Sequence, residues 1–465
     1  MTNKEYIDLQ KSHDLDDRRW NRGHDDIPPI ALLYQPFGEF LDIYLNSQTS
    51  GLVEAHSPQM RKLVDCFASS MSSMYDTENE RRDACLPALN TIFKAALGES
   101  YPRLTAAAIG SFRTDGHNLG PKDEPLMIVE IKNDLVGISS NPILELCNYY
   151  YRVVEKFAVT SPELFLASKM PALVLTVVGT LLLPSLVLSV SLIVSGPTIT
   201  FYALAYVGRI HYVSLTSGLS CTDGAVGKHD RQKLYDAFAA ASTLLFRILQ
   251  DATSIATNVP PPLPNRVLPY VMELPPAKGS GNSIKFQITQ KIPTTFSRQH
   301  YFANSMGSDG KVLRLIVKFS DTYSRDLHLH CADAGHAPVL RGFGRLPGGL
   351  FGAAMDILDH AEELKSNGSQ DDADSWAGQL SQLVASIHAA GFVHGNLQYD
   401  DMVHVDNKVM LLDFEWGGVK GEACYPKTGD ALVLELTDGR HQKDLTITEE
   451  DDQLILAATL EQIRL

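Results

Sequence analysis

Positive charge is in short supply in this 465-residue chain: 40 Lys and Arg face 55 Asp and Glu, for a formal net charge of −15. That shortage excludes a sequence-blind polycationic coat for nucleic acid, so any contact with a phosphate backbone must be local. Cysteine is scarce too. Cys66, Cys85, Cys147, Cys221, Cys331 and Cys424 are scattered without a CxxC pair, which excludes a disulfide scaffold or a zinc ribbon and points to a reducing compartment. The polar opening MTNKEYIDLQKSHDLDDRRW has no apolar core, so no secretory signal is read there and the expected location is intracellular, cytoplasmic or nuclear. No Walker A loop, HExxH or nucleophile elbow occurs. What is there is ordinary globular composition, 44% apolar and 20% charged, in a chain long enough for two or three domains of roughly 150 residues.

The densest run of proline, VPPPLPNRVLPYVMELPPAKGSGNS, ends in a Gly-Ser tail. Proline fixes φ and removes backbone donors, so the run predicts a domain boundary near residue 260. The expected organisation is a disordered N-terminus over 1–26, a first domain over 27–256, a linker over 257–283 and a second domain over 284–465. The expected fold class is α+β or α/β. Met170 to Val207 carries no charge, yet it is dense in Val, Thr, Ile and Ser and broken at Gly179, Pro184 and Ser195-Gly196-Pro197. Each piece has strand length, so a buried β-meander is expected rather than a membrane span, and no membrane partner. Helices are expected over Asp76–Leu97, with Leu86, Leu89, Ile92 and Phe93 on one face, and over Asp230–Ala256, with a stripe from Leu234 to Leu249 packed on the sheet.

Two constellations carry chemistry. In PLMIVEIKND, period-two alternation sets Glu130 and Lys132 on one face of a strand and Met127, Val129 and Ile131 on the other. Upstream, Thr114-Asp115-Gly116 is turn-like and lies far enough back for a hairpin to return Asp115 beside that pair. Two carboxylates and a lysine suit metal-assisted phosphodiester hydrolysis: hard Mg²⁺ takes carboxylate oxygens, and the lysine orients or deprotonates water. The order resembles the PD-(D/E)XK restriction-endonuclease-like core, a mixed sheet flanked by helices. The resemblance implies Glu80, or Glu78, on the preceding helix and Asp115 and Glu130 as metal ligands, Lys132 beside them, and a following helix Asn141–Arg152 bearing Glu145 where related sequences often have Gln. DNA would be the partner.

The second constellation lies in GFVHGNLQYDDMVHVDNKVMLLDFEWGG. The order of His, polar residue, acid and Asp-Phe resembles the protein kinases. It implies that Asn396 stands where the catalytic base does, that Asp401 and Asp413 are metal ligands, and that Lys318 in VLRLIVKFS grips ATP phosphates. An amide cannot take a proton, so the general-base contribution of roughly 10²- to 10⁴-fold would be lost. No GxGxxG precedes Lys318, Asp326 is the nearest stand-in for a helix glutamate, and the C-terminal lobe reads as short and degenerate. His328, His330 and Cys331 in LHLHC read as strand residues facing alternately, with core and polar roles. The acidic run from Glu449 to Asp452 reads as the macrodipole-favoured start of a last helix.

Taken in order, the two constellations resemble the Crinkler-type fungal fusions of a PD-(D/E)XK nuclease-like domain with a truncated eukaryotic protein-kinase-like domain. Their loop reads HGD followed by Asn and their metal motif DFDWAG, against HGN, Asp401 and DFEWGG here. The resemblance implies an effector-type protein with Mg²⁺ and ATP as cofactors and a protein substrate or partner at the kinase-like domain, which would be a pseudokinase. Two other readings stay open: an active protein kinase with a structural N-terminal domain, and a non-catalytic, nucleotide-gated interaction protein.

Overall fold

The computed structural model describes residues 27–46, 52–109, 112–133, 142–179, 181–182, 193–195, 197–222, 227–279, 281–293, 298–307, 310–364, 370–426 and 445–464. The expected disordered N-terminus lies outside them. The chain divides into two compact units, Met1–Tyr270 and Val271–Leu465, each a mixture of helices and sheets. The division falls inside the proline-rich stretch, whose residues pack: Leu268, Val271, Leu274 and Ala277 are buried, and Tyr270 N–H donates to the Leu32 carbonyl at 2.9 Å.

In the first unit a short helical turn at Ile30–Leu33 precedes helices α1 (Gln35–Asn46), α2 (Pro58–Met71) and α3 (Glu78–Leu97). Strands β1 (Gly116–Leu119) and β2 (Pro125–Lys132) form an antiparallel hairpin. Helix α4 (Pro142–Thr160) then crosses to β3 (Ala172–Val178), which runs parallel to β2. Strands β4 (Thr198–Tyr206), β5 (Ile210–Ser214) and β6 (Leu219–Ser220) follow, giving the order β6-β4-β3-β2-β1 with β5 also on β4, before the long helix α5 (Gly227–Thr257). Alternation assigns the two faces. Met127, Val129, Ile131, Leu175 and Phe201 meet Phe67, Phe93 and Phe238 from α2, α3 and α5, whereas Ile128, Val174 and Leu204 meet Tyr150, Val154 and Phe157 from α4. A sheet covered on both faces explains why β3 is apolar at almost every position.

The charge-free segment is therefore sheet over the described parts of 170–207, and no helix among the described residues is long and apolar enough to cross a membrane. Residues 183–192 of the expected meander lie outside the described residues.

The second unit contains a five-stranded antiparallel sheet made of β7 (Gln287–Lys291), β8 (Gln299–Met306), β9 (Val312–Ser320), β10 (Leu340–Arg345) and β11 (Phe351–Asp356), in the order β7-β8-β9-β11-β10. Helix α6 (Arg325–Asp333) connects β9 to β10. This corrects the strand reading of LHLHC. Leu327, His328 and Cys331 are buried at the i, i+1, i+4 spacing of one helix face, and tertiary packing outweighs the local alternation. Next come α7 (Gln370–Ala389), the hairpin β12 (Met402–Val405) and β13 (Lys408–Leu411), and α8 (Glu449–Arg464), which pack around Trp376, Leu380, Val384, Leu411 and Phe414.

Candidate functional sites

In the first unit, the register of the β1–β2 hairpin, Gly116 opposite Val129, sets Asp115 at the level of Glu130 and Ile131. Asp115 Oδ2 accepts the Ile131 N–H at 2.8 Å. Lys132 Nζ lies 2.6 Å from Glu130 Oε1, 2.9 Å from Glu145 Oε2 on α4 and 3.7 Å from Glu78 Oε1 at the start of α3. The structure thus brings Asp115, Glu130 and Lys132 together and adds Glu78 and Glu145. Glu80 is elsewhere. Its N–H donates to the hydroxyl of the N-cap Thr77 and its carboxylate accepts the N–H of the preceding Asp76 at 3.0 Å, a variant of the capping box that spends Glu80 on its own helix. The first turn offers two glutamates, and capping geometry claims the one at the third helical position.

The acids outnumber the single lysine. Glu130 is 2% exposed and its Oε2 has no hydrogen-bond partner. Burial, the hydrogen bond with Glu145 and the charge of Asp115 push Glu130 up to about 10. Burial also raises Asp115 and Glu78. Lys132 moves up as well, because Glu130 and Glu145 outweigh the burial that favours its neutral form. Tyr149 on α4 is raised by burial and by the same acids, Glu130 first. Crowded carboxylates against one ammonium make a site that gains from an added proton or cation. The hard oxygen donors and the orphaned Glu130 oxygen suit Mg²⁺, although Lys132 now occupies the midst of the acids. Among the described residues, no group of three or more His, Cys, Asp or Glu is disposed to hold a metal ion.

In the second unit, residues 392–393 pair with 418–419, which brings the loop after α7 against the segment after β13. Gly395 takes a φ of 75°, open to glycine without the Cβ penalty, and this bends the chain between His394 and Asn396. Asn396 Nδ2 lies 3.0 Å from Asp401 Oδ2 and 3.1 Å from Asp413 Oδ2, while Asn396 Oδ1 accepts from Gln398 at 2.6 Å. Lys318 Nζ donates to the Leu412 carbonyl at 2.6 Å, next door to Asp413. All four residues singled out from the sequence converge.

Sequence reasoning missed three partners. Arg298, just before β8, binds Asp401 at 2.6 Å and lies 3.4 Å from Asp413. Two acids hold its charge against the burial that opposes it. For Asp413, burial is outweighed by Lys318 and Arg298, and the carboxyl sits below its usual range. Glu415 goes the other way, pushed up to about 7 by burial and by Asp413. The third is Asp452, fully buried on α8. It accepts the His394 N–H at 2.8 Å, the Gly395 N–H at 2.6 Å and a contact from His388 Nε2 at 2.9 Å. The acidic run does open the last helix, but Asp452 clamps the Asn396 loop rather than merely facing the helix dipole. Its only sequence signal was an acid run longer than a helix start requires.

Asp326 is exposed and hydrogen-bonded to Arg325 on the first turn of α6. His328 is core: its ring stacks on Phe414 at 4.3 Å, and its nitrogens meet Tyr323 Oη at 2.6 Å and the Pro338 carbonyl at 2.9 Å. No protein-family model matches the chain. No curated protein matches it. Among solved structures, part of the chain is similar to the kinase PK-1 of the Cydia pomonella granulovirus, at 15% identity and a TM-score of 0.31, over 38% of this chain and 70% of that one.

Proposed function

We propose that the second unit is a protein-kinase-like, nucleotide-binding module that does not transfer phosphate at kinase rates. The observation that carries this reading is the Asn396 side chain, whose amide donates to both Asp401 and Asp413 and whose carbonyl is taken by Gln398. An amide so engaged neither accepts a hydroxyl proton nor is replaced in that task by Asp401, which Arg298 holds. The residues present fit ATP and Mg²⁺: Asp413 stays ionised and Asp401 and Asp413 offer hard oxygens. Mg-ATP would supply the triphosphate and its charge neutralisation. Lys318 would hold phosphate, and Asp401 and Asp413 the metal, once Arg298 yields them. The test is calorimetric titration with ATP and Mg²⁺ beside a phosphate-transfer assay. Binding that Asp413→Ala abolishes and Arg298→Ala strengthens, with no transfer, supports the reading. Rapid transfer by the unaltered chain overturns it in favour of an active kinase, as does Asn396→Asp leaving a measurable rate unchanged.

The clustering of Asp115, Glu130, Lys132, Glu78 and Glu145 favours a second reading for the first unit, a Mg²⁺-dependent PD-(D/E)XK-like nuclease site acting on DNA. Asp115 and Glu130 would hold the metal and Lys132 would position water. Together the two readings amount to a Crinkler-type fusion. Incubation of the chain with linear DNA and Mg²⁺ should give cleavage that Lys132→Ala removes; cleavage surviving that change refutes the site.

A further inference from the structure

A cavity of about 280 Å³ opens in the first unit at the far end of β2 from the acid cluster, with which it shares no residue. Leu33, Phe157 and Ile248 form buried apolar walls. Among the described residues Lys169 is the only cation in the lining, and it is 9% exposed. Its amine donates to the Leu268 carbonyl at 2.6 Å, and no carboxylate among the described residues pairs with it. The two acids in the lining are engaged elsewhere: Asp251 accepts from Tyr34 Oη at 2.7 Å, and Glu124 accepts the Lys122 N–H at 2.8 Å.

An ammonium carries three protons, and only one of these finds an acceptor. Burying the remainder against hydrocarbon is costly, and burial alone brings the Lys169 amine down to about 7. A carboxylate supplies both the missing charge and the missing acceptors, through charge-assisted bonds stronger than neutral ones. With one cation present, a dianion would leave surplus buried charge, so the head must be singly charged. The walls then call for a hydrocarbon body. We infer that this cavity binds an apolar monocarboxylate, head group on Lys169 and tail along Leu33, Phe157 and Ile248.

An engineered cavity of about 150 Å³ holds benzene, so this one has room for a ligand of about ten heavy atoms. Octanoate is of that size, and 1-octanol has the same tail without the charge.

Calorimetric titration of the full chain at pH 6.5 with each of these probes decides the matter. Octanoate is expected to bind at one equivalent and at least tenfold more tightly than octanol. Lys169→Met, which keeps the apolar stem, should erase that preference, and Ala252→Phe should weaken both ligands by filling the cavity. Equal affinity of the two probes for the unaltered chain, or no octanoate binding at millimolar concentration, overturns the inference; neither outcome depends on a variant folding. A preference that survives Lys169→Met overturns it as well.

Discussion

The two candidate sites solve opposite electrostatic problems with similar residues. In the first unit, Glu78, Asp115, Glu130 and Glu145 crowd a single lysine, and burial pushes Glu78, Asp115 and Glu130 upward. In the second, Asp401 and Asp413 face Lys318 and Arg298, and Asp413 is held down although it is buried about as deeply as Glu130. Burial alone therefore does not set the protonation of an acid. The balance of fixed charge around it does, and that balance separates a site with an appetite for a cation from one already carrying its own.

The largest expected effect concerns what holds each site rather than what fills it. Asp452→Ala leaves the His394 and Gly395 amides without acceptors in a fully buried setting, at roughly 1–3 kcal/mol for each orphaned donor. A loss of about 4 kcal/mol is expected in denaturant titration of the transition that reports the second unit. An unchanged midpoint would mean that the loop is held by packing alone.

The charge comparison predicts unequal costs for removing each lysine. Lys132→Met takes from the buried Glu130, and from Glu145 and Glu78 beside it, the ammonium they share and should cost about 3 kcal/mol, whereas Lys318→Met leaves Arg298 on Asp413 and should cost about 1 to 2 kcal/mol. Equal costs from paired denaturation curves would sink the idea that charge balance distinguishes the sites.

Opposite pH dependences follow next. Glu130 is raised when folded, so the native state keeps a proton that the unfolded chain loses; its contribution is complete below about 4.5 and is lost as pH rises toward about 10. Asp413 is lowered, so its contribution is present above its unfolded value near 3.8 and is lost on acidification. Each single proton allows a slope of at most about 1.4 kcal/mol per pH unit. Glu130→Gln should flatten the alkaline limb of stability against pH, and Asp413→Asn the acid limb. If the two substitutions affect the same limb, charge balance does not distinguish the two sites. By the same signs, Mg²⁺ should stabilise the first unit more at pH 8.5 than at pH 6, because the metal must displace protons there.

The smallest effect separates two neighbouring glutamates. Glu80→Ala removes a capping-box partner and should cost about 0.5–1 kcal/mol with no change in Mg²⁺ response, while Glu78→Gln should alter that response. Thermal melts with and without Mg²⁺ distinguish them.

Much of the architecture was legible because it rests on short-range pattern. Alternation in β2 told which face carries Glu130 and Lys132, and helical spacing placed Leu86, Leu89, Ile92 and Phe93 in the core. The charge-free segment was readable as strand because its glycine and proline breaks leave pieces too short to span a bilayer. The LHLHC stretch misled because alternation over so few residues fits a strand and a helix face equally well, and only the packing of His328 on Phe414 decides.

By itself, then, the sequence determined which residue types could meet: the Asp115, Glu130 and Lys132 set through a hairpin, and the Lys318, Asn396, Asp401 and Asp413 set through their order. Which neighbours balance them was decided in three dimensions. Arg298 lies 103 positions from Asp401, and Asp452 lies 57 from Gly395. No local periodicity links residues so far apart; their meeting depends on how whole elements pack. The state of charge in each site is a property of that packing, which is why one aspartate, Asp115, is raised and another, Asp413, is lowered.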